Sequence, residues 1–105
     1  MDTGYIIADE VQEAPLNFNG ATGVKVGPFA RSGWYQLATT TRCYIRIVKE
    51  ESAYLGVDAA NVNSANGISL YDEIARAWYI PKGGYLGAIG YGGESGSIEI
   101  FRVRN

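Results

Sequence analysis

The sequence of 105 residues contains no histidine and only one cysteine. Histidine titrates near neutral pH and is the commonest general base, proton shuttle and zinc ligand, so its absence removes these roles together. A single cysteine forms no internal disulfide, and Cys43 lies in an alternating apolar stretch, where a free cysteine usually acts as a small apolar side chain. These absences favour a structural or binding protein and disfavour an enzyme.

Long apolar runs are also missing. No stretch approaches the roughly 20 apolar residues that a membrane span requires. The first residues lack the basic start and the apolar run of a signal peptide. We therefore expect no membrane partner and a protein that is soluble where it is made.

Basic residues are missing from the first twenty positions, which instead carry Asp2, Asp9, Glu10 and Glu13. The rest of the chain holds all nine basic residues against seven of the eleven acids. The acidic leader either lies against a basic surface, its own or a neighbour's, or is a solvated tail. The basic residues form no cluster beyond Arg102 and Arg104, so we expect no nucleic-acid partner.

The polar residues form no recognisable catalytic or metal-binding pattern. Adjacent carboxylates occur at 72–73 and 50–51, but neighbouring strand positions point to opposite faces and paired acids in loops are usually solvated. Candidate nucleophiles lack a histidine base, and the glycine pairs at 83–84 and 92–93 precede no predicted helix that could hold phosphate. The spacing of a calcium loop is missing. The sequence predicts no catalytic residue, no metal and no cofactor.

From residue 21 onward, short alternating runs are separated by Gly, Pro, Asn and Ser, which is typical of antiparallel β-strands. We predict strands at 23–26, 34–39, 42–48, 68–71, 75–80, 85–91 and 97–103, the last three forming a meander. Seven short strands predict an all-β fold, a single-domain antiparallel β-sandwich that is jelly-roll-like. Gly87 and Gly90, inside one strand, indicate a bulge or a close backbone approach.

Two segments lie outside this strand pattern. Residues 1–20 are too apolar for disorder, and we predict an extended N-terminal arm that is either an edge strand of its own domain or a tether on another subunit. Residues 21–105 form the β-sandwich domain, with a long loop at 49–67 that exceeds the usual connection in a compact β domain. Asp58 could cap a short helical turn at 59–62.

Aromatic residues are abundant, with eight tyrosines and two tryptophans. The adjacent pairs Trp34-Tyr35 and Trp78-Tyr79 fall on predicted strands, so one member of each pair should face outward. Either the tryptophans fill the core and the tyrosines surround it, or exposed rings bind sugars or proteins.

Four segments together resemble a known family: Gly33-Trp34-Tyr35-Gln36-Leu37, Arg42-Cys43-Tyr44-Ile45-Arg46-Ile47, Trp78-Tyr79-Ile80-Pro81-Lys82-Gly83, and Ile89-Gly90 with Gly96-Ser97-Ile98-Glu99-Ile100. This series resembles small β-sandwich structural proteins of tailed-bacteriophage virions. The resemblance covers residues 33–103. It implies a capsid decoration (cement) protein, made in the host cytoplasm and located on the virion, that binds the major capsid protein. It also implies a homo-oligomer, commonly a trimer.

The arm and the 49–67 loop are the two segments that can reach a partner. We predict that their apolar residues make the partner contacts: Tyr5, Ile6, Ile7, Leu16, Phe18, Tyr54, Leu55 and Val62. One alternative is a carbohydrate-binding β-sandwich in which Trp34, Trp78 or Tyr91 forms a stacking platform. Another is a neck or tail adaptor, or a receptor-binding component, of the virion.

Overall fold

The structure is a computed structural model that describes residues 10–103, with only the backbone described for residues 10–12. This range holds nine strands: β1 (Glu10–Gln12), β2 (Leu16–Phe18), β3 (Val24–Val26), β4 (Gly33–Thr39), β5 (Cys43–Val48), β6 (Ile68–Leu70), β7 (Arg76–Ile80), β8 (Tyr85–Gly90) and β9 (Gly96–Val103). Its one helical element is a single 3-10 turn, Tyr91–Gly93. No helix in residues 10–103 has the length and apolarity to cross a membrane.

The strands form two antiparallel sheets. In the first sheet β9 lies beside β4, which lies beside the edge strand β7, while β1 and β2 follow one another along the other side of β9. The second sheet has the order β3-β8-β5-β6. Apart from the β1-to-β2 and β5-to-β6 links, every connection crosses from one sheet to the other, which is the strand order of a jelly roll. The predicted all-β, antiparallel single-domain sandwich is confirmed.

All seven predicted strands occur, each within one residue of its expected ends. The predicted meander of the last three strands is wrong. β7 and β9 belong to the first sheet, whereas β8, which lies between them in the sequence, belongs to the second sheet. The link at 81–84 crosses between the sheets, and the amide of Phe29 donates to the Gly84 carbonyl at 2.9 Å. Gly and Pro residues close a hairpin and a crossover equally well, so the turn composition does not distinguish the two.

Alternation along the strands places the core between the sheets. In β5, Cys43 and Ile45 point inward and are fully buried, while Tyr44 and Arg46 point outward. The Tyr35 hydroxyl donates to the Arg31 carbonyl, so this buried ring keeps a hydrogen bond. Large side chains buried with it are Leu37, Ile45, Leu70, Ile80, Leu86, Ile98 and Ile100.

The described part of the predicted arm is an edge of this domain. β2 pairs with β9 in a register that places Leu16 opposite Ile98 and Phe18 opposite Gly96. Leu16 and Phe18 belong to the core cluster. For residues 10–18, therefore, the edge-strand alternative holds.

The 49–67 loop lies against the outer side of the second sheet. A Cβ atom on Gly87 would fall 1.7 Å from the Ala59 carbonyl oxygen, and one on Gly23 would fall 1.9 Å from that of Ala60. The predicted close approach at Gly87 is therefore observed. Asp58 caps a turn rather than a helix: its carboxylate accepts from the Ala60 amide at 2.9 Å and its carbonyl from the Asn61 amide at 2.9 Å.

We predict that Gly87→Ala lowers the free energy of unfolding by about 1–3 kcal/mol, the usual cost of overpacking. The added methyl group cannot fit beside the Ala59 carbonyl unless the loop backbone moves. Urea titration followed by tryptophan fluorescence measures the change. An unchanged midpoint and slope would show that the loop is not seated on the sheet at this position.

Candidate binding surfaces

The first candidate is the tip of the 49–67 loop, which is a short hairpin. Ser52 and Val57 exchange backbone hydrogen bonds of 2.9 and 2.8 Å. The Gly56 amide donates to the Ala53 carbonyl at 3.2 Å, and Gly56 has a φ of +70°, a left-handed conformation that favours glycine. The hairpin therefore gives the tip, residues 53–56, a defined turn conformation.

This turn presents two large apolar side chains to solvent. Tyr54 is 95% exposed and Leu55 is 71% exposed, the two highest values among the large hydrophobic side chains described. Neither side chain stabilises the domain by burial. Because these two exposed apolar side chains are adjacent on one turn, the tip is a candidate contact surface.

Two ion pairs hold the base of this hairpin to the second sheet. The Lys25 ammonium, on β3, lies 2.9 Å from the Glu51 carboxylate and 3.0 Å from that of Asp58. The Glu51 carboxylate also accepts from the Ala59 amide at 3.0 Å. The pKa of Lys25 is raised, chiefly by its hydrogen bond to Glu51 and next by its hydrogen bond to Asp58. The pKa of Asp58 is lowered, chiefly by the hydrogen bond from the Ala60 amide and next by the one from Lys25. Both shifts favour the charged forms of Lys25 and Asp58 at neutral pH.

The second candidate is the outer face of the first sheet. Trp34 lies opposite Tyr79 of β7 on one side and Val103 of β9 on the other. Trp34 and Tyr79 are each 50% exposed, and their rings meet edge to face with centroids 5.7 Å apart. Phe101 lies two residues further along β9 on the same side. We call Trp34, Tyr79, Phe101 and Val103 the aromatic face.

The two tryptophans have different environments. Trp34 does not lie in the core, because it points outward from β4 next to Tyr35, which points inward and is buried. Trp78 points inward and packs against the core, and its indole Nε1 is buried with no hydrogen-bond partner among the described residues. Trp34 therefore offers an accessible ring surface, and Trp78 has a structural role.

The third candidate is a group of tyrosines around one arginine. It lies at the end of the second sheet where β5 begins and β6 and β8 end. The Arg42 guanidinium lies 3.8 Å from the Tyr91 ring centroid and 4.7 Å from that of Tyr71. Tyr44 contacts Tyr91 with centroids 5.7 Å apart. Tyr71 and Tyr91 are partly exposed. We call Arg42, Tyr44, Tyr71 and Tyr91 the tyrosine cluster.

The residues predicted to bind a partner fall in different places. Tyr54 and Leu55 lie together at the exposed loop tip. Val62, 4% exposed, is buried at the base of the same loop, and Leu16 and Phe18, at 6% and 4%, are in the domain's own core. Tyr5, Ile6 and Ile7 lie outside the described residues.

The sequence reasoning missed Arg42 and Tyr71 because their proximity depends on the pairing of β5 with β6, which brings Tyr44 opposite Ser69. Arg42 precedes β5, and Tyr71 follows β6. No spacing in the sequence reveals that pairing, since nearly twenty residues separate the two strands. The only sequence signal is that Arg42 and Tyr44 lie two residues apart and so share the outward face of one strand.

A cleft of about 210 Å³ lies between the β1–β2 link and the loop after β3, lined by residues that include Glu13, Phe29 and Ile100. Most small-molecule sites are larger, about 300–1,000 Å³. Among the side chains that the structure describes, those of residues 13–103, no three His, Cys, Asp or Glu are grouped as metal ligands. The exposed surfaces described above are therefore better candidates for binding than the cleft.

Comparisons with known proteins identified no relative. No protein-family model matches the chain, and no curated protein or solved structure is significantly similar to it.

Cys43 lies at the start of β5 and is fully buried. Burial raises the pKa of its thiol from 9.0 to about 11, and a hydrogen bond with the Thr39 hydroxyl, at 3.8 Å, opposes that shift. Since the thiolate is the reactive form, the folded protein keeps this cysteine unreactive at neutral pH.

We predict that Ellman's reagent does not label the native protein at pH 8 and labels it at once in denaturant. The pKa of the Cys43 thiol is higher in the folded protein than in the unfolded chain. The stability that the neutral thiol contributes is therefore complete below about pH 9 and is lost as the pH rises through 11. Cys43→Ala should lack this part of the alkaline loss when unfolding is followed from pH 8 to 11. Rapid labelling of the native protein would contradict the burial.

Proposed function

We propose that this protein is a non-catalytic binding protein that docks on a protein partner through Tyr54 and Leu55 at the loop tip. In the setting that the sequence resemblance implies, the partner is the major capsid protein. The chain then acts as a capsid decoration protein on the virion surface, where it stabilises contacts between capsid subunits. The observation that carries the docking proposal is the exposure of these two side chains on an ordered, ion-paired loop.

Order in the loop matters because binding a mobile segment costs conformational entropy, about 1–2 kcal/mol for each backbone residue that is fixed. The hairpin bonds at 52–57 and the contacts of Lys25 fix the turn before a partner arrives. Burying each apolar side chain then contributes about 1.5–3 kcal/mol. Such a contact is weak alone, but a symmetric shell or an oligomer repeats it and raises the effective concentration.

We predict that Tyr54→Ser combined with Leu55→Ser lowers the affinity for capsids roughly 100-fold or more, because the apolar area at the tip is lost. Heads of the phage that encodes this chain are sedimented with increasing protein, and the bound copies are counted by quantitative gel electrophoresis. The control is Ile68→Ser, which removes another exposed apolar side chain, 48% exposed, on the edge strand β6.

A second variant, Lys25→Met, leaves both tip side chains in place and removes the ion pairs. Weaker binding by Lys25→Met is expected if order in the loop contributes. Equal binding by the tip variant and the Ile68→Ser control would remove the tip from the interface. No sedimentation of the unaltered chain with heads would contradict the decoration role, and a few copies confined to one vertex would favour the neck or tail adaptor.

A carbohydrate-binding module is the second candidate, and half-exposed Trp34 beside Tyr79 is the observation that favours it. Sugar rings stack on aromatic faces, and an open sheet surface leaves room for a glycan chain. Tyr91, in the tyrosine cluster, is a second accessible ring. Trp78, the third predicted platform residue, is packed against the core.

We predict that, if this second function is correct, Trp34→Ala reduces glycan-array signal at least about tenfold while the far-ultraviolet circular dichroism spectrum is retained. Trp34 is accessible, so its loss removes stacking surface without opening the core. Tyr91→Ala, made in parallel, separates the aromatic face from the tyrosine cluster. Glycan binding that survives both substitutions would exclude these rings as platforms.

A further inference from the structure

The edge strand β7 differs from the other sheet edges. β1, β2, β3 and β6 contain three residues each, and Pro15 interrupts the edge formed by β1 and β2. Short strands and proline are common protections against pairing with another chain. β7 contains five residues, Arg76–Ile80, with no proline, and its single charged residue is Arg76 at the first position. Apart from its ladder with β4, no backbone hydrogen bond to another described residue involves this strand.

The edge also carries exposed apolar side chains, beside the charged residues at 72, 73 and 76. Every residue from 71 to 77 is exposed, and Tyr79 is exposed as well. Ile74 is 57% exposed and lies in the link that enters β7, close to Ala75 and Ala77. An exposed apolar strand with free backbone groups is a template for pairing.

The charged residues just outside β7 have opposite signs at its two ends, and Arg76, the first residue of the strand, offsets one of the two acids. Asp72 and Glu73 precede the strand, and Lys82 follows it. All three are exposed, and none forms an ion pair with another residue of the described range. An antiparallel copy of the same strand would place the acidic end of one chain beside Lys82 of the other, twice.

We infer that β7 is a dimerisation edge and that its occupant is β7 of a second copy of this chain, paired antiparallel about a two-fold axis. Full overlap of the two strands places the axis at Trp78, which sets Ala77 opposite Tyr79 of the second copy and Arg76 opposite its Ile80. This register keeps inward and outward side chains on matching sides. It joins the two first sheets and makes the aromatic face continuous across both chains.

The symmetry of this contact fixes the size of the assembly. An antiparallel strand pair formed by the same strand in both copies is isologous, so each copy uses its only β7 and the assembly closes as a dimer. A trimer, which the sequence resemblance favours, would need a different surface.

We predict that the full chain elutes at twice the chain mass of 11.4 kDa when size-exclusion chromatography is coupled to light scattering. Ala77→Lys should give a monomer, because the added lysines of the two copies lie diagonally across the two-fold axis and repel each other. The matched control is Ala38→Lys, the same substitution on the neighbouring strand β4, where Ala38 lies opposite Glu99. Hydrogen exchange should show protected β7 amides in the control but not in Ala77→Lys, with β9 protected in both.

Charge reversal gives a second test that does not alter the strand. Glu73→Lys and Lys82→Glu should each weaken the dimer roughly tenfold, and combining them should restore most of the affinity, since the opposite charges again face each other. A chain that is monomeric up to millimolar concentration, a trimer, or an equal response to Ala77→Lys and Ala38→Lys would overturn the inference. These measurements use the isolated chain, so they do not depend on whether it binds capsids.

Discussion

The contact between the 49–67 loop and the second sheet is the constraint on which the exposed loop tip depends. Backbone carbonyls of Ala59 and Ala60 lie where side chains would stand at Gly87 and Gly23, so the loop approaches the sheet more closely than a larger residue allows. Ala59 and Val62 are buried in the resulting layer. A long connection, which would otherwise be mobile, thereby becomes a third layer of structure.

Close backbone packing and ion pairing contribute differently to this layer. The Lys25 side chain is about one-third exposed and that of Asp58 nearly half exposed, so solvent and salt screen their attraction. Burial of Ala59 and Val62 removes apolar surface from water and does not depend on ionic strength. Packing therefore sets the position of the loop, and the ion pairs favour one orientation of the hairpin at its end.

Much of the fold could be predicted from the sequence because period-two alternation and turn residues are local signals. The strand Cys43–Val48 shows this well, since its inward and outward residues follow from alternation alone. The placement of β8 in the second sheet could not be predicted, because Pro81–Gly84 looks the same in a hairpin and in a crossover. Pairing between sheets depends on contacts that no local pattern records.

The candidate sites, too, could be predicted from the sequence only in part. Tyr54 and Leu55 were predicted as contacts because a long connection in a compact β domain needs a role. Leu16, Phe18 and Val62 are also apolar and were also predicted as contacts, but all three are buried in the structure. Apolar residues in an irregular segment serve equally well as core or as contact, and only the packing of the folded chain decides between them. The tyrosine cluster likewise required the pairing of β5 with β6.

A dimer formed through β7 would place both loop tips on one face of the assembly. A two-fold axis at Trp78, perpendicular to the first sheet, leaves both second sheets on the same side of the joined layer. Because the 49–67 loop lies on the outer side of the second sheet, both loops then occupy the same face of the dimer. Two modest apolar contacts on one face bind a repetitive surface more tightly than either contact alone, since the second forms at the effective concentration set by the first. The aromatic face remains free on the opposite side, where Trp34 and Tyr79 of both copies form one surface.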